Sequence, residues 1–204
     1  MKSITKFVGL DVSRDKIAVA VAERGVGAAR YLGVYPNTLE AVRKLLNRLG
    51  RPEELHVCYE AGVTGYGLAR FLRGLKIECM VVAPSKIPLV PGPRVKTDRK
   101  DAVMLAERLR TADLVSVWVP DEADEALRDL VRARKARMED LKRAKQRVNM
   151  LLLRHGITKP EKTTPWSERY RAWLRGLELP QKNSQAVLQE YIIAVEEVEQ
   201  GVRR

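Results

Sequence analysis

Histidine and cysteine are scarce in this chain. Its two histidines, His56 and His155, lie far apart. They leave no material for a hydrolase built on a histidine base or for a histidine-rich metal centre. The two cysteines, Cys58 and Cys79, sit in apolar strand-like runs without CxxC spacing. That argues against a zinc site and for buried thiols of a reducing compartment. No apolar run reaches membrane-spanning length, and the N-terminus has no signal-peptide pattern. A cytoplasmic protein with no membrane partner is expected. No internal repeat occurs, and neither proline nor glycine appears between Ala123 and His155.

What the chain does have is length for one α/β domain and something smaller, and an excess of positive charge. It has 204 residues, 45% of them hydrophobic, with 38 Lys and Arg against 26 Asp and Glu, a net charge of +12. That balance points to a polyanionic partner. Solubility alone is the competing explanation.

The first part of the chain reads as alternating elements. Two strands between residues 5 and 23 join through Ser13-Arg14-Asp15-Lys16, and a third, around Ala29 to Tyr35, completes a meander. Asn37 or Thr38 caps a helix with Leu39, Val42, Leu45, Leu46 and Leu49 on its apolar side, and Gly50 stops it. A fourth strand runs to Glu60, a glycine-rich turn leads into a helix with Leu68, Phe71, Leu72 and Leu75, and a fifth strand covers Ile77 to Val82. Pro84, Pro88, Pro91 and Pro93 then make a stiff loop. A helix from about Asp98 to Thr111 and a short strand-like piece, Leu114 to Val119, close the unit. The order is that of an RNase H-like domain: an α/β fold with a mixed five-stranded sheet and flanking helices, over residues 1–119.

Four carboxylates stand out against this frame. Asp11 ends the apolar run Phe7-Val8-Gly9-Leu10, and Glu60 ends His56-Val57-Cys58-Tyr59. Asp98 and Asp101 are three apart at a helix start, so both face one way. Each has a simpler explanation. Strand-end acids can sit in water, and Thr97 or Asp98 can be a helix cap with Asp101 favoured by the dipole. Taken together, the acids can converge on one pocket, where they repel unless cations neutralise them. Hard oxygen donors select Mg²⁺ or Mn²⁺, and paired ions are the usual device for in-line phosphodiester chemistry. The chain therefore reads first as part of a nucleic-acid strand-cutting or strand-joining enzyme. Arg94, Lys96, Arg99 and Lys100 surround the acidic pair and suit a phosphate backbone; solvated charge explains them less specifically. Gly62, Gly65 and Gly67 suit close approach by a backbone, or simply a turn.

The remainder is of another kind. Residues 120–157 read as a long basic helix of near-heptad spacing. Leu127, Leu130, Val131, Met138, Leu141, Ala144, Val148, Leu151 and Leu152 form its stripe, interrupted by Arg134 and Lys145. Arg134, Lys135, Arg143 and Arg147 are its expected nucleic-acid contacts. Residues 158–204 are a polar stretch and a further helical pattern. Trp166 and Trp173 suit core packing better than base stacking.

Read together, several phrases resemble a known family. Val8-Gly9-Leu10-Asp11-Val12-Ser13, Tyr59-Glu60-Ala61-Gly62, Gly65-Tyr66-Gly67, Val82-Ala83-Pro84-Ser85 and Val95-Lys96-Thr97-Asp98-Arg99-Lys100-Asp101-Ala102 are similar to the DEDD insertion-sequence transposases. The likeness continues through Val117-Trp118-Val119-Pro120-Asp121-Glu122-Ala123, Leu130-Val131-Arg132-Ala133-Arg134 and Leu152-Leu153-Arg154-His155-Gly156. In that family a RuvC-like domain precedes a coiled-coil segment and a second, serine-bearing domain. The resemblance implies that Asp11, Glu60, Asp98 and Asp101 are catalytic acids binding Mg²⁺ or Mn²⁺. It implies action on DNA at element ends and target, oligomerisation through the helical segment and, in some members, a guide RNA encoded by the element. No serine here matches the family's nucleophile, and the chain is expected to end before that domain, leaving recombination incomplete.

The expected function is the N-terminal, catalytic part of a DNA transposase or recombinase. The alternatives are a Holliday-junction-type nuclease of the same fold and a non-catalytic nucleic-acid-binding dimerisation module. A sugar kinase of actin-like fold shares the first acidic phrase but needs a second phosphate-binding half.

Overall fold

A computed structural model describes residues 3–86 and 97–203. The chain divides into two compact units, residues up to Pro120 and from Asp121 onward.

In the first unit, strands β1 (Lys6–Val12), β2 (Lys16–Glu23), β3 (Arg30–Pro36), β4 (Leu55–Glu60) and β5 (Glu78–Val82) form one sheet in the order β3-β2-β1-β4-β5. β1 is antiparallel to β2 and parallel to β4, which is parallel to β5. This mixed sheet with helices against it is of the RNase H-like kind. Side chains alternate between the faces, and β2 shows why the helices divide as they do. Its Ile17, Val19 and Val21 join the cluster under helices α1 (Leu39–Leu49) and α2 (Gly67–Gly74). Its Ala18, Ala20 and Ala22 face the other way and pack with Ala102 and Ala106 of helix α3 (Asp98–Thr111). Alanine on both sides lets that helix lie close to the sheet. Thr38 caps α1 by accepting from the Ala41 amide, and the helix stops at Gly50. At the free edge, β3 carries a bulge opposite Val19 and Ala20, where Gly33 takes φ +116°.

The expected strand at Leu114 to Val119 is not one. That stretch makes a single bridge, Val82 to Ser116, and leaves Val115 and Trp118 exposed. Next to the bridge the Val117 amide donates to the Val81 carbonyl oxygen at 2.8 Å, and among the described residues the ladder goes no further.

The second unit holds α4 (Glu122–Arg154), α5 (Glu168–Arg175) and α6 (Lys182–Arg203). Asp121 caps α4 by accepting from the Asp124 amide, and its 33 residues span roughly 50 Å. The apolar stripe of α4 has two fates. Ala144, Val148, Leu151 and Leu152 are buried with Tyr170, Leu174, Leu188 and Val195. Leu127, Leu130, Val131 and Met138 are exposed. Trp166 and Trp173 pack on either side of Tyr170, with ring centroids 5.4 and 5.3 Å away. The core-packing expectation for the two tryptophans holds. Among the described residues, no helix is long and apolar enough to cross a membrane.

Candidate active site

Strand register decides which way the first two acids point. Leu10 of β1 lies opposite Tyr59 of β4, so Asp11 and Glu60 are each the next residue along two parallel neighbours. Asp11 pairs with Ala18 and Glu60 with Val82. Both partners belong to the clusters packed on the α3 side. Residues paired across a sheet share a face, so Asp11 and Glu60 face α3 as well.

Gly9 sets the position of α3. The helix backbone crosses it so closely that a Cβ there would overlap the Ala102 carbonyl oxygen and lie 2.5 Å from the Ala106 nitrogen. Two residues further along β1 comes Asp11; on α3, Asp101 immediately precedes Ala102 and Asp98 lies one turn before it. The crossing thus directs the first turn of α3 toward the carboxyl ends of β1 and β4. Thr97, not Asp98, is the N-cap: its side chain accepts from the Lys100 amide. The Asp98 carboxylate is instead engaged by the Lys16 ammonium, Nζ to Oδ2 2.7 Å.

Lys16 is the residue that sequence reasoning missed. It opens β2 beyond the tight turn from Asp11, and its partner lies 82 positions away. The hydrogen bond and charge of Asp98, reinforced by the charges of Tyr31 and Asp11, raise its pKa above the usual value. A positive group therefore lies within the field of two of the four acids. Both Lys16 and Asp98 are about half exposed, so the pair adds little to stability. Among the described residues, no three Asp, Glu, His or Cys side chains are gathered tightly enough to form a metal-holding cluster.

The Arg99 guanidinium lies over the Tyr31 ring, 5.4 Å from its centroid. Lys100 is exposed on the first turn of α3. Arg94 and Lys96 lie outside the described residues, as does the loop from 87 to 96. Gly65 takes φ +69°, as a turn requires, while a Cβ on Gly67 would meet open space. Burial raises the Cys58 thiol, which is fully enclosed, and lifts Cys79 to about 12; neither is a nucleophile at neutral pH. In the second unit Arg134, Lys135, Arg143 and Arg147 are all exposed, and Arg143 pairs with Asp140 at 2.8 Å.

Comparison with known proteins gives this arrangement a class. The family model described as transposase, of the DEDD IS110 type, matches residues 8–157. A relative in Sinorhizobium fredii (strain NBRC 101917 / NGR234), y4qE, carries a transposase name and is 47% identical over 93% of this chain and 49% of its own length. The transposase for insertion sequence element IS1533 of Leptospira borgpetersenii is 32% identical over 97% of this chain and 58% of its own length. The chain belongs to the DEDD insertion-sequence transposase family. It spans about half the length of the curated relatives it matches.

Proposed function

We propose that this chain supplies the carboxylate centre of a DNA transposase, with Asp11, Glu60, Asp98 and Asp101 as the acids that hold Mg²⁺ or Mn²⁺ over a DNA phosphodiester. The observation that carries the reading is the shared face: Asp11 and Glu60 lie at neighbouring strand ends on the face that α3 covers, and α3 begins with Asp98 and Asp101, Asp98 tied to Lys16 at the start of β2. The donor set is all carboxylate oxygen, which suits a hard divalent ion. Lys16 supports the same view, because the Asp98 carboxylate already draws an ammonium to within 2.7 Å. Bound there, a divalent ion would polarise the scissile phosphate and stabilise the leaving oxygen.

The chain's own groups do the remaining work. Asp11 and Glu60, fixed at strand ends, set the rigid side of the site, and the Asp98–Asp101 pair sets the helical side. Arg99 and Lys100, with Arg94 and Lys96, grip the strand backbone and fix its register without reading its bases. The basic face of α4, through Arg134, Lys135, Arg143 and Arg147, extends the contact. The exposed row Leu127, Leu130, Val131 and Met138 is the seam for a second copy. No serine of this chain is assigned as the attacking group.

Calorimetric titration with Mg²⁺ and Mn²⁺ tests the site, with and without a DNA duplex. Binding by the parent chain, lost in both Asp11→Ala and Asp98→Ala, is the expected outcome. Ion binding that survives both substitutions would sink the four-acid site. DNA binding with a steep salt dependence and no ion effect in any variant would make the chain a binding module instead.

A further inference from the structure

The second unit carries a groove with no role in the acid site. Helices α4 and α6 run antiparallel, since Leu152 packs with Leu188 while Arg137 reaches Gly201. At 3.6 residues per turn, the buried positions of α4 leave Lys145 on one flank and Arg143, Arg147, Met150 and Arg154 on the other. On the first flank the charges interlock. Lys145 and Arg171 both hold Glu199, at 2.9 and 2.8 Å, and Arg175 holds Glu196 at 2.8 Å. On the second flank a cavity of about 410 Å³ opens, lined by Arg143, Gln146, Arg147, Met150, Arg154 and Tyr191.

Among the described residues, no carboxylate lines this groove. Arg143 has Asp140 beside it, but Arg147 and Arg154 have no acidic partner among the described residues. Arg143 and Arg147 are four apart on one helix, a like-charge spacing that costs helix stability. Arg154 continues the row two turns on, so the three guanidinium groups span about 16 Å along the helix. Such a row matches successive charges of a strand better than a single small anion. Arginine forks suit phosphate oxygens, and the half-buried Tyr191 and the Met150 thioether, which both line the groove, supply an aromatic ring and apolar surface for an unstacked base. Gln146 adds an amide that can donate to and accept from a base edge.

We propose that this groove binds a single nucleic-acid strand, with Arg147 and Arg154 on its phosphates and one unpaired base on Tyr191. The inference deepens the nucleic-acid reading above, yet it can fail alone, because it concerns a different unit and needs no metal ion.

The test is fluorescence anisotropy of the whole chain with a labelled single-stranded RNA, the DNA strand of the same sequence and the matching DNA duplex, over a range of salt. Arg147→Gln/Arg154→Gln is compared with Lys142→Gln/Arg169→Gln, which removes the same charge from exposed positions outside the groove. Circular dichroism confirms that each variant keeps its helices. The groove pair is expected to weaken single-strand binding by tenfold or more and to lower the salt slope by about 1.4, two contacts at about 0.7 each. The control pair should change either by much less. Tyr191→Leu, which keeps an apolar side chain in place, is expected to weaken single-strand binding about tenfold and leave duplex binding alone. The RNA and DNA strands tell which sugar the groove prefers. Equal losses in the groove and control pairs, a Tyr191→Leu effect as large on duplex as on single strands, or no single-strand binding by the parent would overturn the proposal. If ion titration of the acid site fails while the groove variants still lose binding, the groove stands and the acid site falls.

Discussion

The two units treat charge in opposite ways. The sheet unit carries Asp11 and Glu60 at neighbouring strand ends on the face that α3 covers, and α3 opens with Asp98, paired to the Lys16 ammonium, and Asp101. The helical unit interlocks opposite signs on one flank, where Glu199 sits between Lys145 and Arg171 and only 14% of its side chain is exposed. On its other flank it lines up arginines of one sign. Interlocked charge is satisfied within the unit and serves its stability. Charge of one sign brought together opposes stability and, on the readings proposed above, serves a partner. Substitutions in each region should therefore fail in different ways: loss of stability where charges interlock, loss of binding where they gather.

The largest effect is expected beneath the acid edge. Gly9→Val places branched carbons where the α3 backbone now runs. Either β1 or α3 must move, and overpacking of this kind costs about 3 kcal/mol or more. Urea unfolding should show that loss, and any surviving folded protein should bind Mg²⁺ more weakly because Asp98 and Asp101 are carried away with α3. A Gly9→Val variant of parent stability would mean that α3 does not rest on β1 as described, and the shared face would lose its support.

Glu199→Gln tests the interlocked flank and should cost about 2 kcal/mol, the scale of hydrogen bonds to a charged, largely buried group. The effect should depend on pH. Burial alone would raise the Glu199 carboxyl, but hydrogen bonds from Arg171 and Lys145 outweigh it and bring the group below the usual value near 4.5. A carboxyl depressed in the folded state stabilises fully above its unfolded pKa, and the gain is lost as pH falls through the folded value. The difference in unfolding midpoint between parent and variant should thus be full at neutral pH and shrink below about pH 4.5. Nucleic-acid binding at neutral pH should be unchanged. A pH-independent difference would assign the loss to packing rather than to charge.

The same contrast explains what sequence reading could and could not reach. The sheet elements were legible because their apolar runs are short and bounded by turns: β1, β2, β4 and the α1 cap at Thr38 follow from local pattern. That Asp11 and Glu60 lie at or next to strand ends was equally visible. Their common face was not, because it depends on β1 and β4 being parallel and in register. Gly9 did carry a local sign, a glycine inside a buried strand, which marks close backbone approach. The run Leu114 to Val119 misled because apolar content with a single bridge to β5 does not make a strand. The stripe of α4 showed which face is apolar along its whole length, but not that α5 and α6 would cover only the second half. Tyr191 joins the groove through tertiary packing alone.

Lys16 gives the smallest expected effect and the sharpest view of the acid edge. Nothing local marks it; it is one more basic residue in a turn until α3 brings Asp98 beside it. Lys16→Met removes the ammonium while keeping an unbranched side chain of similar length. Because the pair is half exposed, the unfolding midpoint of the ion-free protein should fall only slightly. If the acids form one cation site, the variant should bind Mg²⁺ a few-fold more tightly, since no resident positive charge has to be displaced or tolerated. Weaker binding would give Lys16 a different part: it would be the tie that holds the first turn of α3 against the β1–β2 hairpin, and the acids would need that tie to meet. Unchanged binding would separate Asp98 from the ion altogether. Repeating the titration with Asp98→Ala and with the double variant then decides the matter, because Lys16→Met should have no further effect once Asp98 is gone.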